Sequence, residues 1–315
     1  MKARLVERPP AGDWLYEIKL DGYRTIAIKS GSMTQLFSRN EKDFSQKFPE
    51  ITAAIRKLKV RKAIIDGEVV ALEPNGRSSF QLLQAYDVGE ERPPIYFYAF
   101  DLLQLDGKDL QKLPVVQRKA QLEKILKGAP ETIRFSSSLE GPIDSLLKHA
   151  RELGLEGLIG KRKDSKYESG RRSGAWIKLK ITFEQEMVIG GFTQPRGGRK
   201  HFGSLLVGYY EGGKLLYAGR VGTGFNEASL KSLRREMDQI RTSQWAFTNL
   251  PERKRNRFSP DLTASEMKKC AWVEPKLVCQ VRFTEWTRDG KLRHPVFLGL
   301  REDKQPDEVV RETPS

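Results

Sequence analysis

Near residue 181 the texture of this chain changes, and that change limits the folds open to it. Before it, short apolar runs alternate with helical stretches; after it, short strands are separated by glycine, as at Gly190-Gly191, Gly197-Gly198 and Gly212-Gly213. A chain of 315 residues, at roughly 100–200 residues per domain, accommodates two domains, each with its own core. In the first half, residues 14–20, 64–72, 95–103 and 175–181 read as strands, while residues 48–58 and 115–126 carry helical spacing. This predicts a mixed α and β domain. In the second half, residues 186–192, 204–211 and 214–221 read as β-segments joined by tight turns, followed by a helix over about 226–241. A small β-barrel with one helix fits that order. Residues 194–202, 252–261 and the tail from Pro306 read as irregular.

Composition narrows the partner. Lys and Arg number 56 against 41 Asp and Glu, for a net charge of +15 and a pI near 9.7; such a balance favours a polyanion such as nucleic acid. A membrane surface would also attract it, but no run approaches the ~18 apolar residues of a spanning helix. The first ten residues lack the apolar stretch of a signal peptide, so a cytoplasmic protein is expected. The two cysteines, Cys270 and Cys279, and three scattered histidines, His149, His201 and His294, form no zinc spacing. The run Arg253-Lys254-Arg255-Asn256-Arg257 is either a solvated loop or a phosphate contact whose affinity falls with salt.

Four strands carry charge in places that call for an explanation. In residues 14–21, Trp14, Tyr16, Ile18 and Leu20 share one face, and Glu17, Lys19 and Asp21 the other; a Gly22 turn then delivers Arg24. In residues 175–181, Ile177, Leu179 and Ile181 face one way while Trp176, Lys178 and Lys180 face the other. Asp66 and Glu68 interrupt an apolar run, which a buried strand tolerates only with a partner or a metal. Glu156 opens a further apolar strand beside Lys161 and Arg162. Each taken alone is what a solvated edge strand or an ordinary ion pair would show; their recurrence favours a site. Lysines, arginines and carboxylates on converging strands suit attack by a lysine amine on a nucleotide phosphate, with Mg²⁺ neutralising charge. Arg24, Lys178 and Lys180 are expected to disfavour the Lys19 ammonium and lower its pKa toward neutrality.

These residues resemble the covalent nucleotidyltransferase superfamily, and most closely the ATP-dependent DNA ligases of bacterial non-homologous end joining. Lys19-Leu20-Asp21-Gly22-Tyr23-Arg24 matches the K-x-D-G-x-R signature, which implies that Lys19 becomes adenylated through a phosphoramide bond. The resemblance further implies that Glu17 accepts from the adenine amino group, that Phe100 stacks on adenine, and that Arg24 and Arg39 contact ribose and phosphate. Glu68 would contact ribose and metal, and Glu156 would bind the metal. Arg172, Lys178 and Lys180 would meet the phosphates. Arg301, Asp303 and Lys304 look like the R-x-D-K element, which orients pyrophosphate. The implied architecture is an α+β nucleotidyltransferase domain over residues 1–182, an all-β OB-fold barrel over 183–305, and a flexible tail over 306–315.

The implied cofactors are ATP and Mg²⁺ or Mn²⁺. The implied substrate is nicked double-stranded DNA, sealed in three steps by a monomer. With Lys19 so near the start of the sequence, neither the helical DNA-clamping domain of larger relatives nor a polymerase or nuclease module is expected. DNA grip is therefore expected from the basic surface, including the 194–202 and 253–257 loops, with help from a Ku-like end-binding partner. The alternatives are a capping-type guanylyltransferase, an RNA ligase, and a non-catalytic nucleic-acid-binding barrel. NAD⁺-dependent ligases carry a zinc-binding cysteine cluster that this sequence lacks.

Overall fold

A computed structural model describes residues 1–87, 89, 92–181, 183–195, 200–250, 262 and 264–312. They form two compact units, one within residues 1–181 and one within residues 183–312.

The first unit contains two sheets. One has four strands in the order Arg4–Leu5, Trp176–Lys180, Gly157–Arg162, Trp14–Ile18. Its apolar face, with Trp14, Tyr16, Leu158, Ile177 and Leu179, packs with the helix Ile143–Glu152 through Leu146, Leu147 and Ala150. The alternation read from the sequence places those residues together, because side chains opposite one another in a ladder share a face. The second sheet runs Met33–Ser38, Tyr23–Ser30, Lys62–Ala71, Ile95–Leu105, Lys108–Asp109, with Ile133–Phe135 parallel to Ile95–Leu105. The helix expected over 48–58 spans Pro49–Arg56, with proline in its first turn, where a missing N–H costs nothing. The one expected over 115–126 spans Val115–Leu126.

One strand ends earlier than the alternation predicts. Trp14–Ile18 stops before Asp21, which leaves the shared face. Its backbone N–H donates to Ser78 Oγ at 2.9 Å, and its carboxylate accepts from the Phe80 N–H at 3.3 Å, capping the helix Phe80–Asp87. The adjoining Gly22 permits the turn, since a Cβ there would stand 2.2 Å from the Val69 carbonyl oxygen.

The second unit is an antiparallel sheet ordered Lys214–Val221, Leu205–Glu211, Phe183–Phe192, Ala271–Phe283, Arg241–Thr242, with Val296–Leu300 also on Ala271–Phe283. A backbone bridge between Thr223 and Val296 joins strands from opposite sides of this sheet, giving an OB-type barrel around Ile189, Phe192, Val207, Tyr217 and Val281. The helix Glu227–Gln239 begins at Asn226, whose side chain accepts from the Ser229 N–H at 2.7 Å while the Asn226 N–H donates to Ser229 Oγ at 3.0 Å.

The tail from Pro306 departs from the flexible segment expected. Val309 is buried, the Tyr210 N–H donates to its carbonyl at 2.7 Å, and Gln185 holds both the Val310 carbonyl and the Glu312 N–H. Backbone hydrogen bonds and one apolar anchor therefore fix residues 306–312 on the barrel. Of the two basic loops, residues 196–199 and the whole 253–257 run lie outside the described residues.

Two buried cations fasten Val115–Leu126 to the first unit. Arg118, fully buried, forks onto Asp101 at 2.7 and 2.8 Å and donates to the Ser165 carbonyl at 3.0 Å. Lys119 Nζ lies 2.9 Å from Glu17 Oε1 and donates to the Ser136 carbonyl at 2.7 Å. Burial, reinforced by the neighbouring Lys161, lowers the Lys119 pKa to about 8 despite Glu17. Removing one partner of a buried pair strands the other charge, so Arg118→Met should destabilise by about 3–5 kcal/mol, and Arg118→Met with Asp101→Leu should recover much of that loss; a single variant with the wild-type urea midpoint would disprove this anchoring. The folded Lys119 gives up its proton below the unfolded value of 10.5, so its penalty on stability is fully present below about pH 8 and is relieved toward pH 10.5. Wild-type stability relative to Lys119→Met should therefore rise across that window, as read by urea midpoints at stepped pH; a flat or falling difference contradicts it.

Candidate active site

The polar face of the four-stranded sheet gathers the chemistry. Glu17 pairs across to Ile159, which pairs to Lys178; beside that row, the Lys19 N–H donates to the Gly157 carbonyl at 2.9 Å, and Gly157 pairs with Lys180. Lys161 and Trp176 lie opposite each other one row further on. Glu17, Lys19, Lys161, Lys178 and Lys180 thus project from one side, opposite the face packed with Ile143–Glu152. Gly157 is required between Lys19 and Lys180: its φ is +155°, and a Cβ would sit 2.1 Å from the Leu179 carbonyl oxygen.

The second sheet contributes a row of its own, Arg24 opposite Glu68 and Glu68 opposite Tyr98. Phe100 falls where the register between Lys62–Ala71 and Ile95–Leu105 shifts; it is half-buried, with its ring edge-on to Trp176 at 5.9 Å. A bulge of this kind re-aims a side chain that strict alternation would send elsewhere.

Lys19 does not have the cationic surroundings expected of it. Its ammonium donates to Glu156, which is largely buried. Burial alone would lower the Lys19 pKa, but Glu156, with Asp21 and Glu68 further out, overrides that and holds it above the usual lysine range. The expected lowering is therefore reversed here: the contacting group is an anion, and the row partner Lys180 is separated by Gly157.

Arg24 also differs. Its guanidinium forks onto Asp66 at 2.6 and 3.0 Å, reaches the Tyr167 hydroxyl at 3.3 Å and donates to the Met1 carbonyl, 5.6 Å from the Phe100 and Trp176 rings. Asp66 is wholly buried and also accepts from Tyr167 at 2.8 Å. Burial pushes that carboxyl up, and Arg24 and Tyr167 more than reverse it, leaving it below the usual range. Asp66 thus has a protein partner. Glu68 is half-buried, within electrostatic reach of Lys19 and Arg24.

Glu17 is the centre of a buried cluster that the sequence did not disclose. Its Oε1 lies 2.7 Å from Lys161 Nζ and 2.9 Å from Lys119 Nζ, and its Oε2 accepts from Ser136 Oγ at 2.6 Å. Burial raises the carboxyl pKa, but the two lysines bring it below normal and keep it ionised. Lys161 also donates to the Phe100 carbonyl at 3.1 Å and stands 4.6 and 4.4 Å from the Phe100 and Trp176 ring centres. The one available signal was a lysine closing the apolar run Gly157-Leu158-Ile159-Gly160-Lys161.

The remaining expected residues stand on other elements. Arg39 is half-buried in the turn after Met33–Ser38, and Arg172 is exposed on the loop before Trp176–Lys180. On the barrel, Arg301 forks onto Asp303 at 2.8 and 2.9 Å, and Lys304 pairs with Glu186 at 2.8 Å. Among the described residues, no three His, Cys, Asp or Glu side chains form a metal cage, and no helix is long and apolar enough to cross a membrane. The oxygen donors Glu68 and Glu156 still fit a hard cation, since Mg²⁺ takes one or two carboxylates and completes its shell with phosphate and water.

Comparison with known proteins follows the same lines. Residues 3–180 match the ATP dependent DNA ligase domain, and residues 198–304 match the ATP dependent DNA ligase C terminal region. The multifunctional non-homologous end joining protein LigD of Pseudomonas aeruginosa is 41% identical over 318 residues, covering 99% of this chain and 36% of that protein. A DNA ligase of Thermococcus fumicolans is 33% identical over 321 residues, covering 95% of this chain and 53% of its own. The chain thus spans only part of the length of the curated relatives it matches. Among solved structures, a mycobacterial DNA ligase D complexed with ATP and MES superposes with a TM-score of 0.68 at 32% identity, covering 98% of both chains. The ligase domain of Mycobacterium tuberculosis LigD gives 0.50 at 33%, with the same coverage. With both halves matched in order, this chain belongs to the ATP-dependent DNA ligases.

Proposed function

We propose that the chain seals 5′-phosphate/3′-hydroxyl nicks in double-stranded DNA through a covalent lysyl-AMP at Lys19. The single observation that carries this is the placement of Lys19 on the polar sheet face, in contact with Glu156 and one glycine away from Lys180. Lys19 Nζ, once deprotonated, would attack the α-phosphorus of ATP, forming the N–P bond as the bond to pyrophosphate breaks. The nick 5′-phosphate would then take AMP from Lys19, restoring the amine, and the adjacent 3′-hydroxyl would displace AMP to form the phosphodiester. Mg²⁺, held by Glu68 and Glu156, would supply charge neutralisation at the phosphates.

In this reading the protein groups divide the remaining work. Glu17, kept ionised, accepts from the adenine amine. Phe100 stacks on the base. Lys178, Lys180, Arg39 and Arg172 offset phosphate charge, and Arg24, pinned by Asp66, presents a fixed cation beside ribose. Arg301, Asp303 and Lys304 are assigned to pyrophosphate on their motif. Membership of the DNA ligase family sets aside the capping and RNA-ligase alternatives. We further assign the chain to end joining on the strength of its likeness to the LigD protein of Pseudomonas aeruginosa, and propose that it acts as a monomer with a Ku-like end-binding protein.

Incubation with ATP and Mg²⁺ should add one AMP to the protein, seen by intact mass, whereas Lys19→Ala should gain none and GTP should not substitute; label persisting on the variant sinks the assignment of the nucleophile. The +15 charge and the basic run at 253–257 support DNA grip by counterion release. Replacing Arg253, Lys254, Arg255 and Arg257 by Ser should weaken binding to nicked duplex and reduce the log–log salt slope by up to about 0.9 for each DNA phosphate that is no longer neutralised. Identical salt curves for variant and wild type would place the grip elsewhere.

A further inference from the structure

We propose that Lys161 is a positioning residue that sets the preference for adenine over guanine, an inference that rests on the adenylation reading above. Its ammonium holds both elements assigned to the base. It grips Glu17 Oε1 at 2.7 Å, and it fixes Phe100 through the carbonyl at 3.1 Å and across the ring at 4.6 Å. Lys119 reaches the same carboxylate oxygen, but its other contacts are the Ser136 carbonyl and the Phe135 ring. Lys161 alone of this pair couples the hydrogen-bonding edge of the pocket to its stacking surface.

Burying two ammonium groups around one carboxylate is costly, and apolar side chains of similar volume would fill the space at lower cost. Lys161, Lys119 and Glu17 are 1, 4 and 2% exposed, so the charges answer a requirement other than packing. Base chemistry supplies that requirement. Adenine presents an amine, a donor, where guanine presents a carbonyl acceptor. An ionised carboxylate held in one position accepts from the first and repels the second. Without Lys161, Glu17 loses one of its two cations; it can then turn within the pocket or take up a proton and donate to guanine.

The test compares wild type, Lys161→Met and Lys161→Arg by calorimetric titration with ATP and with GTP in EDTA, and by self-labelling with either nucleotide and Mg²⁺. Losing one charge-assisted hydrogen bond to the carboxylate should weaken ATP binding and raise its KM by about 10–100-fold. The ATP-over-GTP ratio should fall by a like factor, kcat should change little, and Lys161→Arg should recover much of the loss. An unchanged ratio in Lys161→Met, or a fall in kcat at constant KM, overturns the proposal. If Lys161→Met does not fold, Lys161→Gln, which keeps a donor without the charge, takes its place under the same two readings. A wild-type protein that gains no label from ATP defeats the ligase reading and this inference together, whereas a labelled wild type with an indifferent variant removes only the inference.

Discussion

The pairing of Trp14–Ile18 with Gly157–Arg162 governs the first domain. Because successive side chains in a strand point to opposite faces, this one register sends Tyr16 and Leu158 into the core with Ile143–Glu152 and sends Glu17, Lys19 and Lys161 to the other side. A slip of one residue would exchange the two sets, burying Lys19 among apolar groups and exposing the core. The apolar face and the chemical face are therefore one specification, and selection on packing also protects the site.

The charges on that face form two layers. Lys19 and Glu68 are partly accessible, where a substrate can compete for them, and Glu156 lies largely buried beneath Lys19. Behind them lie Glu17 with Lys119 and Lys161, Asp66 with Arg24, and Asp101 with Arg118, whose carboxylates all have protein partners and little or no exposure. The outer groups are free to exchange partners during a reaction, whereas the inner groups hold geometry. Lys19 rests as an ammonium on Glu156, so the adenylation proposed above would begin by loosening that ion pair.

Local pattern made the outer layer and the framework legible. Period-two alternation gave the faces of Trp14–Ile18 and Trp176–Lys180, and helical spacing gave Val115–Leu126. The strand Ala271–Phe283 escaped because Pro275 interrupts it; the proline lies in the stretch between Trp272 and Leu277, where the register with Phe183–Phe192 shifts. The ion partners escaped for a different reason. Lys19 and Glu156 are 137 positions apart, and Ser136 and Glu17 are 119 apart; which cation meets which anion is decided by the packing of two sheets and a helix. Counting the lysines near Lys19 in its motifs therefore gave the wrong direction for its proton affinity. The contact with Glu156, with Asp21 and Glu68 beyond it, corrects it.

The trio of Glu17, Lys119 and Lys161 has an evolutionary consequence. Two cations share one anion in an interior that is almost closed to solvent, so changing any member disturbs the other two. Under the role proposed for Lys161, a lineage drifting toward a different base would first give up one of these buried contacts, and with it some stability of the first domain. In that reading, choice of nucleotide is tied to the integrity of the interior, so a change of base preference carries a cost in folding.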